Sequence, residues 1–270
     1  MSRVVAITGG ARGIGLAMAA AFRAAGYTVA TGDLDGELAA ATAAPLGAHG
    51  LPLDVTDRAS FAAFLDAVER AHGPLDVLVN NAGIMPTGRF LDEPDALTDR
   101  MLEINLRGVL TGTRLAATRF AARGSGTVVN VASLAGVTGF PGVATYCATK
   151  HAVVGLGEAL HNELRASGVG VLTVLPGVVR TELSAGARTP RWSAALSTVD
   201  PEDVARAVVR AVATGRRRVT VPRRLGAVLA VVGVLPAPLK AAAFRVTGAD
   251  TAYTQADPAA RARYHARILP

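Results

Sequence analysis

Ser133, Tyr146 and Lys150 are the residues whose types and spacing suggest a reaction. Tyr146 follows the serine by thirteen positions, and Lys150 lies four positions further on. On a helix, a four-residue separation puts both side chains on one face. An ammonium beside a phenol favours the phenolate, so Tyr146 is expected to have a pKa below the ordinary value of about 10. Such a phenol exchanges a proton with a hydroxyl or carbonyl oxygen. Ser133 closes the apolar run TVVNVAS and would reach the same oxygen from a strand tip. The chemistry is oxidation of an alcohol or reduction of a ketone. A Tyr-x-x-x-Lys pair also occurs on solvated helices, so the elements that position it decide the reading.

The first of those elements is RVVAIT (3–8), a β-branched run without period-two alternation, as in a strand buried on both faces. Gly9-Gly10-Ala11-Arg12-Gly13-Ile14-Gly15 follows, then a helix that ends near Gly26. Strand, glycine turn and helix together bring backbone N–H groups to a pyrophosphate at the helix N-terminus. The next strand ends at Asp33, eighteen residues beyond Gly15, where a carboxylate would hold an adenosine ribose hydroxyl and repel a 2′-phosphate. Arg12 is the opposing feature, but Leu34 supplies no cation, and the balance favours NAD over NADP.

Further strands are expected around His49–Leu53, at LDVLVN (75–80), Thr127–Val131, VGVLTVL (169–175) and RVTVP (218–222). Between them lie helices over Gly36–Ala44, from a cap at Thr56 or Asp57 to His72, over Asp95–Ala122 and Val143–Ala166, and from Asp200-Pro201 onward. This alternation predicts an α/β fold with a doubly wound parallel sheet. Asn105, near the middle of the Asp95–Ala122 helix, has low helix propensity. It either faces solvent or holds a local irregularity or a polar site. Residues 182–199 read as a mobile loop whose Trp192 either closes a pocket or packs the loop.

Composition sets the outer bounds. The chain has 270 residues, half of them hydrophobic, which suits one α/β domain. A single cysteine, Cys147, leaves no internal disulfide, and no His/Cys/acid cluster has metal-ligand spacing. MSRVVAITGG lacks the apolar length of a signal peptide, so a cytoplasmic location is expected. The net charge of +7 divides unevenly: residues 1–184 sum to −2 and residues 185–270 to +9.

Taken in order, TGGARGIG (8–15), NNAG (80–83), Asn105, Ser133, Tyr146-x-x-x-Lys150 and PGVVRT (176–181) resemble the short-chain dehydrogenase/reductase superfamily in its single-domain, Rossmann-like form. The resemblance covers residues 3–222 and implies an NAD(P)-dependent oxidoreductase. It implies Tyr146 as general acid/base, Lys150 as its pKa modulator and nicotinamide-ribose ligand, Ser133 as the group orienting substrate, and Asn105 as holder of a proton-relay water. Gly9, Arg12, Gly13, Ile14 and Gly15 match the pyrophosphate turn, and Asp33 with Leu34 the adenosine-ribose selector. Asp54-Val55 matches the adenine contact, Asn81-Ala82-Gly83 the turn beside the ribose, and Pro176, Val179 and Thr181 the carboxamide segment. A homodimer or homotetramer is also implied.

Residues 223–270 fall outside that pattern and are expected to form an extension of the 1–222 catalytic domain. Leu225–Leu235 is an apolar run too short for a bilayer, which needs about 20 residues. It either covers the substrate pocket or meets a neighbouring subunit, or else lies in a membrane interface, with residues 216–246 as the contact. Nucleic-acid binding is disfavoured for want of a reader motif. Asp250–Pro270 is polar and Arg-rich and is expected to be mobile. An apolar small-molecule substrate fits best. The alternatives are an NADPH-dependent 3-oxoacyl thioester reductase and a non-catalytic nucleotide sensor; a sugar-nucleotide epimerase would need a further substrate domain.

Overall fold

The computed structural model describes residues 2–187, 190, 192, 194, 197–226, 228 and 235–268. In chain order its elements are β1 (Val4–Thr8), α1 (Gly13–Ala24), β2 (Thr28–Asp33), α2 (Gly36–Ala43), β3 (His49–Pro52), α3 (Arg58–His72) and β4 (Leu75–Asn80). Next come α4 (Asp95–Leu102), α5 (Gly108–Arg123), β5 (Gly126–Val131), α6 (Ala144–Glu163), β6 (Val169–Pro176), β7 (Val178–Val179) and β8 (Thr198–Val199). α7 (Pro201–Ala213), β9 (Arg218–Val221), α8 (Ala237–Thr247) and α9 (Pro258–Ile268) complete the series.

A seven-stranded parallel sheet in the order β3-β2-β1-β4-β5-β6-β9 forms the centre. Successive strand residues point to opposite faces, and both faces are covered. Val5 and Ile7 join the core under α1 and α7, while Val4 and Ala6 join the core under α3 and α5. This is the doubly wound fold that the alternation predicts. Strand order reverses between β1 and β4, and that opens a crevice at the carboxyl ends of the strands.

Local chemistry sets several boundaries. Asp57, rather than Thr56, caps α3 by accepting from the Ala59 N–H at 2.8 Å. Asp200 and Asp203 form a reciprocal capping box at the start of α7, with Pro201 in its first turn. The expected single helix over Asp95–Ala122 is interrupted by a π turn at Glu103–Arg107, where the Gly108 N–H reaches back five residues to the Glu103 carbonyl. Asn105 lies inside that turn and is fully buried. The extra residue per turn is where the misfit asparagine is accommodated.

The C-terminal segment departs from expectation. In the described part of the Asp250–Pro270 segment, expected to be mobile, α9 packs on the domain and Arg261 is 1% exposed. Most of the Leu225–Leu235 run (227 and 229–234) lies outside the described residues, as do 188, 189, 191, 193, 195 and 196 of the loop before β8. Trp192 is half exposed and lines the cleft. Among the described residues, no helix is long and apolar enough to cross a membrane.

Candidate active site

A cleft of about 1000 Å³ opens at the carboxyl ends of β1, β2, β4, β5 and β6. At one end is the glycine turn. Gly9 has φ +63°, and a Cβ there would come within 2.9 Å of the Ala82 Cα. A Cβ on Gly15 would overlap the Gly9 carbonyl. Glycine is therefore required for the turn to lie this close to the start of α1. Arg12, the N-cap of α1, makes no side-chain cap bond, and the first turn holds no acid, so the helix N-terminus fits an anion. Thr8 braces the turn: its Oγ1 accepts from the N–H groups of Asn81 and Ala82, both at 3.0 Å. The Asn81 amide returns two bonds, to the carbonyls of Thr8 (2.9 Å) and Gly9 (3.1 Å).

Asp33 ends β2 with its carboxylate facing the cleft, where it accepts from the N–H groups of Ala11 (3.1 Å) and Asp35 (3.3 Å). Arg12 does not stand free as a phosphate ligand; its guanidinium pairs with Asp35 at 3.0 Å. The Leu38 N–H first, and the Arg12 guanidinium after it, hold the exposed Asp35 carboxyl below its ordinary pKa. Leu34 is exposed beside them. Ile14, Asp54, Val55, Ala82, Gly83, Pro176 and Val179 all line the same cleft. Thr181 faces the turn from across it, since a Cβ on Gly13 would meet the Thr181 Cγ2 at 3.3 Å. Gly15 and Asn105 stand behind the lining as supports. The residues present thus fit a dinucleotide.

At the other end are the groups singled out for chemistry. Ser133 follows β5, and α6 carries Tyr146 and Lys150 on one face. Tyr146 is 6% exposed and Lys150 is 4% exposed. The Lys150 Nζ donates to the Val131 carbonyl at 2.8 Å and lies 5.6 Å from the centre of the Tyr146 ring. The Asn105 amide uses both ends on Ile84, accepting from its N–H and donating to its carbonyl at 2.8 Å each. This holds the chain after β4 against the π turn, and a longer bond from the same amide to the Thr149 Oγ1 (3.4 Å) ties both to α6. Gly83 fits between, where a Cβ would meet the Asn105 Oδ1 at 3.2 Å and the Lys150 Nζ at 3.7 Å.

The electrostatics correct one expectation. The Tyr146 pKa is raised, not lowered, because burial of the phenol outweighs the opposing hydrogen bond from Ser133. The same burial lowers Lys150 to about 8. Spacing brings the two groups together, but the surrounding apolar wall decides the sign. Cys147 points away from the site, its sulfur accepting from the Phe140 N–H at 3.3 Å.

Sequence reasoning missed the third side of the site. Tyr264 and Ile268 of α9 are buried in one cluster with Ile84, Met85 and Tyr146, and Tyr253 packs on it. The Met85 N–H donates to the Tyr264 hydroxyl at 2.8 Å. Thr8 stood within the glycine motif and was legible there; the α9 residues belong to no motif.

The comparisons with known proteins agree with this geometry. Residues 3–192 match the family model for short chain dehydrogenase, and the chain belongs to that family. It is 39% identical over 188 residues to the probable oxidoreductase EphD of Mycobacterium tuberculosis, a match covering 67% of this chain and 32% of that protein. The match thus spans about a third of EphD's length. Over 212 residues it is 36% identical to the 3-alpha-(or 20-beta)-hydroxysteroid dehydrogenase of the same organism, covering 77% and 82% of the two chains. The crystal structure of a short chain dehydrogenase/reductase from Burkholderia phymatum in complex with NAD superposes with a TM-score of 0.76 at 27% identity, covering 84% of this chain and 92% of that one.

Proposed function

We propose that the chain is an NAD-dependent oxidoreductase that interconverts a hydrophobic secondary alcohol and its ketone. The observation that carries this reading is the Ser133–Tyr146–Lys150 group, its tyrosine and lysine buried and its serine partly so, in an apolar cleft that also holds the glycine-turn anion site. Bound NAD would supply the hydride chemistry. In the oxidising direction, Tyr146 as phenolate takes the alcohol proton while Ser133 orients the oxygen. In the reducing direction, the phenol gives its proton to the carbonyl oxygen. A phenol whose pKa is raised by burial is already in the acid form that reduction needs. The Ser133 hydrogen bond opposes that rise, and Lys150 stands behind the ring with its Nζ 5.6 Å from the centre. Asn105 acts through Ile84 and keeps the site's far edge in place.

Asp33 supports NAD over NADP, as does the engagement of Arg12 by Asp35. An apolar substrate is supported by Met85, Phe140, Val143 and Phe244 around the pocket. The 1–222 catalytic unit and a homo-oligomer remain part of the proposal.

The test is NAD(P)H formation over a panel of apolar and polar secondary alcohols, with the ketones run in reverse. Turnover with NAD on apolar alcohols, reduced at least about 1000-fold in Tyr146→Phe, is expected. Equal loss of kcat and kcat/KM would mark a transition-state role. Preference for NADP would reverse the reading of Asp33 and Arg12. NADH binding without turnover in either direction would favour a nucleotide sensor.

A further inference from the structure

Among the described residues, Arg261 is the largest fully buried side chain, and it lies on α9. A charge in such a place is costly unless every donor is met. Its Nη2 donates to the Met85 carbonyl at 2.6 Å, and its Nη1 to the carbonyls of Leu183 (3.1 Å) and Ala185 (2.9 Å). Its Nε donates to the His265 Nε2 at 3.1 Å, one turn along its own helix. These acceptors lie on three different parts of the chain. Met85 follows β4, Leu183 and Ala185 follow β7, and His265 belongs to α9.

Three of the four acceptors are backbone. A carboxylate partner can follow an arginine by rotating its side chain, whereas a carbonyl moves only if its loop moves. The planar guanidinium therefore fixes two loops and a helix relative to one another. Lysine, with three donors on a single nitrogen, has no such fork. Other contacts follow the same seam. The Asp257 N–H donates to the Gly186 carbonyl at 2.9 Å, Arg267 pairs with Glu182 at 2.6 Å, and a Cβ on Gly142 would come within 2.6 Å of the Thr254 nitrogen. Along this seam Tyr253 meets Phe140 edge-on at 6.2 Å, and Tyr264 and Ile268 enter the apolar cluster around Tyr146.

We propose that Arg261 is a positioning residue that pins residues 252–268 across the substrate end of the cleft, so that this segment is the wall against which the substrate's apolar body is fitted. The second half of this statement rests on the reaction proposed above; the pin itself does not. Arg261 touches no reacting atom and acts through the loops it joins.

The experiment compares the full chain with Arg261→Met and Arg261→Lys in three measurements. Chymotrypsin cuts after aromatic residues, so cleavage at Tyr253 and Tyr264 reports release of the wall. In the unaltered protein both sites should resist as long as the core residue Tyr27 does. Arg261→Met should speed cleavage at both about tenfold or more, while NADH affinity, read by fluorescence titration, changes less than about threefold. On the alcohol panel, discrimination between bulky and small apolar substrates should fall about tenfold, mostly through KM, with Arg261→Lys in between. Rapid cutting at Tyr253 or Tyr264 in the unaltered protein would overturn the pin, even if the variants fail to fold. So would an Arg261→Met protein with its wall protected and its substrate ranking unchanged. Protected sites released by the substitution, with no turnover on any alcohol or ketone, would sink the reaction and leave the pin standing.

Discussion

At its cofactor end the cleft is built by neighbours in the sheet. Thr8, Gly9, Asn81 and Ala82 close a ring of hydrogen bonds between the ends of adjacent strands β1 and β4. At its substrate end it is built by segments that share no strand pairing. Met85, Leu183–Ala185 and α9 are held together largely by one side chain. The first construction depends on backbone conformation, and a single added methyl group damages it. The second depends on the contacts of α9 and the residues before it, the Arg261 guanidinium foremost, and can be undone while the sheet stays folded. A cleft of this kind has a cofactor floor and a substrate wall that fail separately.

The largest expected effect tests the floor. In Gly15→Val, the first side-chain carbon already overlaps the Gly9 carbonyl and lies 2.7 Å from the Asn81 Nδ2. The turn must open, and NADH affinity is expected to fall about 100-fold or more, equivalent to roughly 2.7 kcal/mol. Resistance of Tyr253 and Tyr264 to chymotrypsin should survive. Loss of both properties in this variant would break the separation of floor from wall.

A smaller effect concerns the pH dependence of Lys150. Lys150 titrates near 8 in the folded chain and near 10.5 when unfolded. Between those values the unfolded chain holds a proton that the folded chain has lost, so stability rises with pH. Tyr146 works in the opposite sense, but only above about 10, where its unfolded phenol begins to ionise. From pH 7.5 to 9.5 the rise due to Lys150 is about 2 kcal/mol. Urea unfolding at both pH values should show it in the unaltered protein relative to Lys150→Met. Parallel pH profiles for the two proteins would mean that Lys150 is solvated.

The smallest concerns the wall. Tyr264→Phe leaves the buried Met85 N–H without its acceptor, at a cost of about 1 kcal/mol. Hydrogen exchange at the Met85 amide should quicken about fivefold, with NADH affinity unchanged. An unchanged exchange rate would show that Arg261 alone sets the stability of the wall.

How much of this was legible in the residues follows the same division. The glycine turn, Asp33, the Asn81–Gly83 edge and the Ser133–Tyr146–Lys150 set could be read because each sits at a strand end or at helical spacing, and those spacings are local. Asn105 advertised a local irregularity by its low helix propensity, and the π turn is what it marks. The sign of the Tyr146 shift was not legible. Spacing shows which cation is near but not how much apolar surface covers the phenol, and that cover includes Tyr264 and Ile268 from far along the chain. Arg261 was hidden for a related reason. Its partners are carbonyls, which every residue carries, so nothing in the types of Met85, Leu183 or Ala185 points to it.

The bond between Arg261 and Met85 joins residues 176 positions apart. Loop-closure entropy grows only with the logarithm of that separation, and each doubling costs about 0.6 kcal/mol. One hydrogen bond from a charged donor returns about 1.5–3 kcal/mol. The contact therefore offsets more than a doubling of the chain between its ends. The molecule gives up little conformational freedom by drawing one side of its substrate pocket from residues so distant in sequence.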